Sequence, residues 1–544
     1  MARLSVCLLL MALLSPHLPA RDRDGAAPAS PAVIGDIRRL DTGRLDLPLE
    51  NNGDQGNDGR TWYPSGQTTL SLLFSSGPCI SGYHDGEIRT AWMASTSRIM
   101  EMQPGVAGGN PDAPEFRFYE VRSTDGFGST AYNEWADAVA QGAAFQDLDG
   151  DGLYDPNTDR PDILGDHTLW CAYNDLTDSL SRSRLDANPL AIEIHQTAWS
   201  EPALPEVAFL RYRIINRSVR NYTDVLVSQF SDPDIGSIVG YQDDLIGSDP
   251  GQQLAFSYND GPDNDYGNDP PAIGFKLLQG PIVSAPGDTA YRFGGPFFGT
   301  DILPGFVNRE IHSVTFYIGS DPVVGDPNTA QQARWYQEGG VDMAGIPINP
   351  ADWGTGGFDN PDSQFFFNGD PVTGSGWLDD TPADKRLLIT SGPFDMAPGD
   401  TQDVIIAVVT GRGSDALDSV TRMRQAARDA ETYIGFSLSG LGEPGNRGAR
   451  EPGTFVLKQN YPNPFNPSTR IAFAVDRAER VTLTVYDIRG RRVATLLDGP
   501  MAAGRHRVTW NGRDAAGRPV AGGVYVYRLT AGTEMRTRKM VLLK

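Results

Sequence analysis

Between Phe145 and Asp162 the chain reads FQDLDGDGLYDPNTDRPD, with Asp147, Asp149 and Asp151 alternating ahead of Gly152. A hard cation such as Ca²⁺ takes six to eight oxygen ligands, and a D-x-D-x-D-G run curls the chain so that its carboxylates point inward. In that pattern Gly152 permits the sharp turn, the Leu153 carbonyl is the next ligand, and Asp155 stands at the ninth position. An EF-hand would place Glu at the twelfth, where this chain has Thr158; Asp159, one residue on, is the available substitute. No helical pattern is read beside the loop. The spacing therefore predicts a calcium loop of the extracellular-module kind, with modest affinity, and not an EF-hand. A solvated acidic turn is the competing reading, because Asp and Gly are ordinary turn residues.

Three further acidic stretches, Ser231–Gly236, Gln242–Asp249 and Asn259–Asp269, carry a weaker signal. Further ions and polar turns between strands explain them equally well. Catalytic signatures are absent: there is no H-E-x-x-H, no paired-cysteine zinc spacing, no G-x-S-x-G and no phosphate-binding glycine loop. His84, His167, His195 and His312 are scattered singly. His167 and Cys171 are close in sequence, but a structural role for both outweighs a nucleophile pair. A glycosidase carboxylate pair is spatial and leaves no mark in sequence. Thr61–Pro64, Phe365–Phe367 and Ser375–Trp377 are candidates for a sugar platform, with core packing as the default reading for each.

These residues must be held by a mainly β scaffold. Gly (61) and Pro (40) favour short strands and many turns over long helices. Glu206–Asn216 carries apolar residues on both faces, as a strand buried between layers does. Thr223–Phe230 follows after a short gap, as a hairpin or a sandwich corner. Ser313–Ser320, Lys385–Phe394 and Gln402–Gly411 read as further strands, the last two joined by an Ala397–Asp400 turn. One helix is read near the end of this region, Ser414–Gly435, with Ser414 as N-cap and an apolar stripe of Leu417, Val420, Met423, Ala427, Ala430 and Ile434. Packing on the preceding sheet is favoured over a partner surface.

Charge divides the chain. From Phe455 onward there are 16 Lys/Arg against 6 Asp/Glu, a net of +10 within a total of −23, which leaves −33 for residues 1–454. So acidic a surface argues against a nucleic-acid partner. The change of sign coincides with a Gly/Pro-rich stretch, residues 438–454, which reads as a linker. The first residues, MARLSVCLLLMALLSPHLPA, have a charged start, a short apolar middle and a small-residue end, the pattern of a secretory signal peptide over 1–20, with cleavage as late as residue 27. No other segment approaches transmembrane length. Residues 27–437 then form an acidic β-rich cargo region, undivided or in two subdomains. Cys79 and Cys171 are the cysteines left after signal removal, either as a disulfide or as separate thiols.

Beyond the linker, short alternating runs recur: Arg470–Asp476, Arg480–Ile488, Arg491–Gly499, Gly504–Gly512, Gly523–Gly532 and Arg536–Lys544. Together they predict an antiparallel immunoglobulin-like β-sandwich with Trp510 in its core. The stretch FVLKQNYPNPFNPST, followed by VTLTVYDIRGRRVATL and GRHRVTWNGRDAAGRPVAGGVYVYRL, resembles the type A sorting domain of the type IX secretion system. It is also similar to the Ig-like domain of the flagellar hook-capping family. The resemblance covers residues 455–544. It implies an address: export by the signal peptide, passage through the outer-membrane translocon, removal of the domain by a sortase-like peptidase, and release or attachment to surface lipopolysaccharide. It supplies no catalytic residues. Asn460, Tyr461, Pro462, Asn463, Pro464, Phe465, Asn466 and Pro467 are at most recognition or structural positions.

The expectation is a mainly β, multi-domain protein: a β-sandwich-rich cargo with one helix near its C-terminal end, plus a C-terminal Ig-like sandwich, exported to the cell surface or beyond. The cargo reads as a calcium-stabilised binding, adhesion or structural module without enzymatic activity. The alternative is a secreted hydrolase acting on polysaccharide or protein.

Overall fold

The computed structural model describes residues 35–435 and 456–543, apart from 57–58, 178–181, 237–240, 358–362, 458–459, 461–462, 464, 466, 476, 478, 488, 502–503 and 533. The segment read as a signal peptide and the linker at 438–454 lie outside the described residues.

The fold is mainly β, and the cargo region is built on two facing sheets. A nine-stranded sheet runs in the order Asp244–Asp249, Leu254–Asn259, Ala272–Gln279, Thr401–Gly411, Val207–Asn216, Ile192–Ser200, His167–Asn174 and Gln103–Pro104, with Tyr119–Arg122 also pairing on His167–Asn174. The seven-stranded sheet has the order Asn188–Pro189, Glu87–Ala94, Ser75–His84, Tyr222–Asp232, Lys385–Met396 and Ile311–Ile318, with Ile99–Met100 beside Glu87–Ala94. Leu169, Ile194, Leu210 and Tyr212 from the first meet Ile80, Val225, Val227 and Ile389 from the second in the principal core. This is face-to-face sheet packing with inward side chains interdigitated.

Alternation decides what each strand does. Along Val207–Asn216, Ala208, Leu210, Tyr212 and Ile214 face the inter-sheet core, whereas Val207 and Phe209 face a second core on the outer side. The next strand, Tyr222–Asp232, belongs to the other sheet, so the short gap is a sandwich corner and not a hairpin. The Ala397–Asp400 turn makes the same crossing in return, with Gly399 at φ +81° and the Asp400 amide bonded to the Ala397 carbonyl.

Among the described residues, three helices longer than a single turn cover the outside: Thr130–Ala140 (α1), Ala330–Glu338 (α2) and Ala416–Ile434 (α3). Helix α3 buries Val420, Met423, Ala427, Ala430 and Ile434 on the nine-stranded sheet and leaves Leu417 exposed. Its N-cap is Asp415, in place of the expected Ser414. The Asp415 backbone is extended and its carboxylate accepts from the Asp418 amide at 2.8 Å. Gly435, at φ +84°, ends the helix. The sequence reading did not anticipate α1 and α2, which are short. In α2, Ala333 and Tyr336 pack with Tyr317 and Leu388 on the outer face of the seven-stranded sheet. No helix among the described residues is long and apolar enough to cross a membrane. Cys79 and Cys171 are free, buried thiols in separate clusters.

The six C-terminal runs are all strands: Thr469–Val475, Glu479–Asp487, Arg492–Met501, Gly504–Trp510, Gly523–Ala531 and Glu534–Leu542. They form two sheets around a core of Phe465, Ile471, Phe473, Leu483, Val508, Trp510, Tyr527 and Leu529. One sheet does not end with its own strands. Gly504–Trp510 pairs in parallel with Thr300–Asn308 of a cargo hairpin, with Ile302 opposite Val508. Ile302 is buried in the C-terminal core.

Candidate metal loop and C-terminal domain

The acidic loop is closed at its base by a small ribbon in which Phe145 pairs with Pro161 and Gln146 with Arg160. Helix α1 ends just before it, correcting the expectation that no helix stands beside the loop. Tyr154 ties the two together: its hydroxyl donates to the Tyr132 carbonyl at 2.8 Å, and its ring meets Phe145 edge-on at 5.3 Å.

Within the loop, one carboxylate oxygen each from Asp147, Asp149 and Asp151 lies within 4.8 Å of the others. Backbone amides set that convergence. Gly150 and Gly152 donate to Asp147 at 2.6 and 3.1 Å, Asp151 to Asp149 at 3.2 Å, and Leu153 to Asp151 at 2.7 Å. The Leu153 side chain is an exposed hydrocarbon with no ligand atom, which leaves its carbonyl as the oxygen that residue can offer. Asp155 accepts from the Asn157 backbone and side chain, both at 2.9 Å. Asp159 is fully buried and clamps the loop, accepting from the Leu148 amide at 2.8 Å and the Asp155 amide at 2.9 Å. The donor set, carboxylates and a carbonyl on a tight turn, fits a hard oxygen-seeking cation such as calcium.

The three weaker acidic stretches come together at one end of the sandwich. Asp244 accepts from the Ile235 amide at 3.1 Å, and a side chain at Gly236 would stand 2.6 Å from Asp263. Burial, with Asp234, Asp243 and Asp263 adding repulsion, holds the Asp244 carboxyl well above the usual carboxylate range. Asp384, which the sequence reading did not single out, joins Asp232 and Asp234 there.

Other candidates take structural places. Cys171 points into the inter-sheet core from a position four residues along the strand from His167, about 13 Å away at strand rise. His167 instead lies 3.0 Å from Glu120, and burial together with Arg122 lowers its basicity. Glu193 bridges His195 at 2.9 Å and Arg217 at 2.5 Å; burial opposes its ionisation, but these partners prevail and hold it at about 2. Phe366, Phe367 and Trp377 are core residues packed on Phe316, and Trp62 lies under the Arg39 guanidinium at 3.8 Å. An open cleft of about 400 Å³ is lined by Arg39, Asp41, Arg122, Asp166, His167 and Ser200.

At the C-terminal domain, Asn460 is buried; its backbone amide donates to the Tyr527 hydroxyl oxygen at 2.8 Å and its side-chain amide donates to the Thr469 hydroxyl at 2.9 Å. Asn463 is exposed and accepts from the Val541 amide at 2.8 Å. Phe465 is buried, 5.6 Å from Trp510, and its backbone pairs with Val541 and Leu543. Pro467 is exposed; Tyr461, Pro462, Pro464 and Asn466 lie outside the described residues. Residues 463–534 match the FlgD Ig-like domain family.

The basal-body rod modification protein FlgD of Salmonella typhimurium is 34% identical over 94 residues, 16% of this chain and 40% of that protein. This chain thus spans less than half of its relative's length. Among solved structures, FlgD from P. aeruginosa aligns with 17% of this chain and 74% of its own at 19% identity and a TM-score of 0.13. A polysaccharide lyase aligns with 94% of this chain and 46% of its own at 7% identity and a TM-score of 0.24. Likeness at these TM-scores extends to no activity. The FlgD Ig-like match begins at Asn463, so Asn460 and the short strand Val456–Leu457 precede it.

Proposed function

We propose that this is an exported protein of the cell surface or extracellular space whose cargo region is a calcium-stabilised binding, adhesion or structural module. The observation that carries the reading is the convergence of Asp147, Asp149 and Asp151 on a loop clamped by buried Asp159. With calcium bound, those three carboxylates, the Leu153 carbonyl and Asp155 would hold it, and Asp159 would fix the loop ends behind it. The ion's chemistry there is charge neutralisation and cross-linking of the turn. The FlgD Ig-like domain, basic where the cargo is acidic, supports a separate role for the C-terminal end. We assign it the address function, engaging the type IX secretion machinery and a sortase-like peptidase, with delivery to the medium or to surface lipopolysaccharide.

Two experiments test this reading. Calcium should raise the melting temperature of the full chain, and Asp149→Asn/Asp151→Asn should abolish that part of the rise which the loop supplies; an unchanged rise refutes the loop. Deleting residues 455–544 should leave the protein in the periplasm, and surface delivery of the truncated chain refutes the address. The cleft beside His167 favours a second reading, a secreted hydrolase, because Asp41 and Asp166 line it together. Hydrolysis of a polysaccharide or protein substrate that is lost in His167→Gln would establish that alternative.

A further inference from the structure

Three strands of the nine-stranded sheet, Tyr119–Arg122, His167–Asn174 and Ile192–Ser200, have ends side by side, and their register puts one polar residue from each in line. His167 stands directly opposite Arg122 on one side and opposite Ser200 on the other. Directly paired residues point to the same face of a sheet, so the row runs roughly 10 Å across the three strands. The cleft of about 400 Å³ that holds this row also takes Arg39 and Asp41 from the strand Ile37–Asp41 and Thr42 from the turn after it. Asp166, Pro202 and Pro205 complete its lining.

The walls are fixed before any ligand arrives. Ser200 donates its hydroxyl to the Asp41 carbonyl at 3.1 Å, Thr42 donates to the Pro205 carbonyl at 2.5 Å, and the Asp166 amide donates to the Ser200 carbonyl at 3.0 Å. Arg39 lies on the Trp62 ring and donates to Asp46 and to the Arg60 carbonyl, both at 2.7 Å. Arg122 is paired with Glu120 at 3.0 Å. Each guanidinium is thus neutralised by its own carboxylate, and each keeps a nitrogen without a protein partner among the described residues. Asp41 and Asp166 have no ion-pair partner among those residues. Asp41 accepts from the Gly43 amide at 2.8 Å, and Asp166 accepts from the Ser123 hydroxyl.

Two paired guanidiniums and two unpaired carboxylates leave the cleft negative, within a region that is itself acidic. An anionic ligand is repelled there. A cationic side chain meets Arg39 and Arg122 in the same lining. A sugar hydroxyl donates and accepts through one atom, so it serves the carboxylates as donor and the guanidiniums as acceptor. Pro202 and Pro205 supply the apolar surface against which the C–H face of a sugar ring packs.

We propose that this cleft is the ligand site of the cargo region and that it takes an uncharged glycan, with Arg39, Asp41, Arg122 and Asp166 as partners of its hydroxyls. The inference rests on the reading of the cargo as a binding module and names that module's ligand class. It uses none of the calcium loop's residues.

The test is titration calorimetry on the full chain, with maltohexaose, cellohexaose, xylohexaose and mannohexaose as uncharged probes. Hexagalacturonate and hexalysine are the acidic and basic ones. At least one uncharged probe should bind, and neither charged one should. Asp41→Ala and Arg122→Ala, both at exposed positions, should each weaken that binding about tenfold, as loss of a hydrogen bond to a charged group does. Circular dichroism checks that both variants fold. Silence of every uncharged probe overturns the site, and a calcium-dependent rise in melting temperature would still stand beside that result. Preference for either charged probe overturns the ligand class. Binding of an uncharged probe that both variants leave within about twofold overturns the cleft and keeps the binding module. A probe that is bound through Asp41 and Arg122 and then cut supports the site and its ligand class, and moves the cargo to the hydrolase reading.

Discussion

Phe465 sits in the proline-rich segment that resembles a sorting motif, yet its environment is that of a core residue. Its ring is 1% exposed and lies 5.6 Å from Trp510, and its backbone bonds on both sides of Leu542, to Val541 and Leu543. Phe465→Ala removes most of an aromatic side chain from a packed site, and such changes cost about 3–5 kcal/mol. If the strand Glu534–Leu542 opens with the domain, the cost appears as amide exchange faster by about 150- to 5,000-fold. Pro467→Ala, at an exposed position, should shift the same amides by less than threefold, within about 0.5 kcal/mol. Hydrogen exchange read by mass spectrometry on the full chain measures both. Exchange of Glu534–Leu542 within tenfold of wild type in Phe465→Ala would refute the structural role and return Phe465 to the surface of a recognition motif.

Asp54 is almost fully buried, and burial, with Glu50 nearby, pushes its carboxyl up to about 8. A raised acid pKa means that its stabilising contribution is complete below about pH 4 and declines as pH rises toward 8; at 1.36 kcal/mol per unit the loss is on the order of several kcal/mol. Asp54→Asn should therefore gain on wild type between pH 4 and pH 8 in urea unfolding, and a constant difference across that range would contradict the burial argument. Asp159→Ala strands the Leu148 and Asp155 amides, so melting of metal-free protein should show a loss of roughly 1–3 kcal/mol even before calcium is added; no loss would show that Asp159 is not the clamp. Ile302→Asp places a charge in the C-terminal core from the cargo side, and amides of Gly504–Trp510 should lose protection while those of Val207–Asn216 keep theirs. Equal protection in variant and wild type would show that the two sheets are not joined there.

The local chemistry of the chain determines much of the molecule. Alternation of apolar residues, Gly and Pro at turns and a helical stripe from Val420 to Ile434 each act within a few neighbouring residues, so five of the cargo strands, the C-terminal sandwich and helix α3 are legible in sequence to within a residue or two. The closeness of Asp147, Asp149 and Asp151 is of the same kind, because one tight turn brings them together. Helices α1 and α2 were not legible: they are short, and what they bury is set by the sheets they cover. The partner of each strand was not legible either. Val207–Asn216 and Tyr222–Asp232 are consecutive, but each is satisfied in a different layer, which only the packing of two apolar faces decides. Tertiary register alone brings Asp232 to Asp384, sets Ile302 into the core of the FlgD Ig-like domain and buries Phe465 under Trp510. In each case the contact depends on hydrogen-bond ladders between segments distant in the chain, and a side chain carries no local sign of which distant backbone it will face.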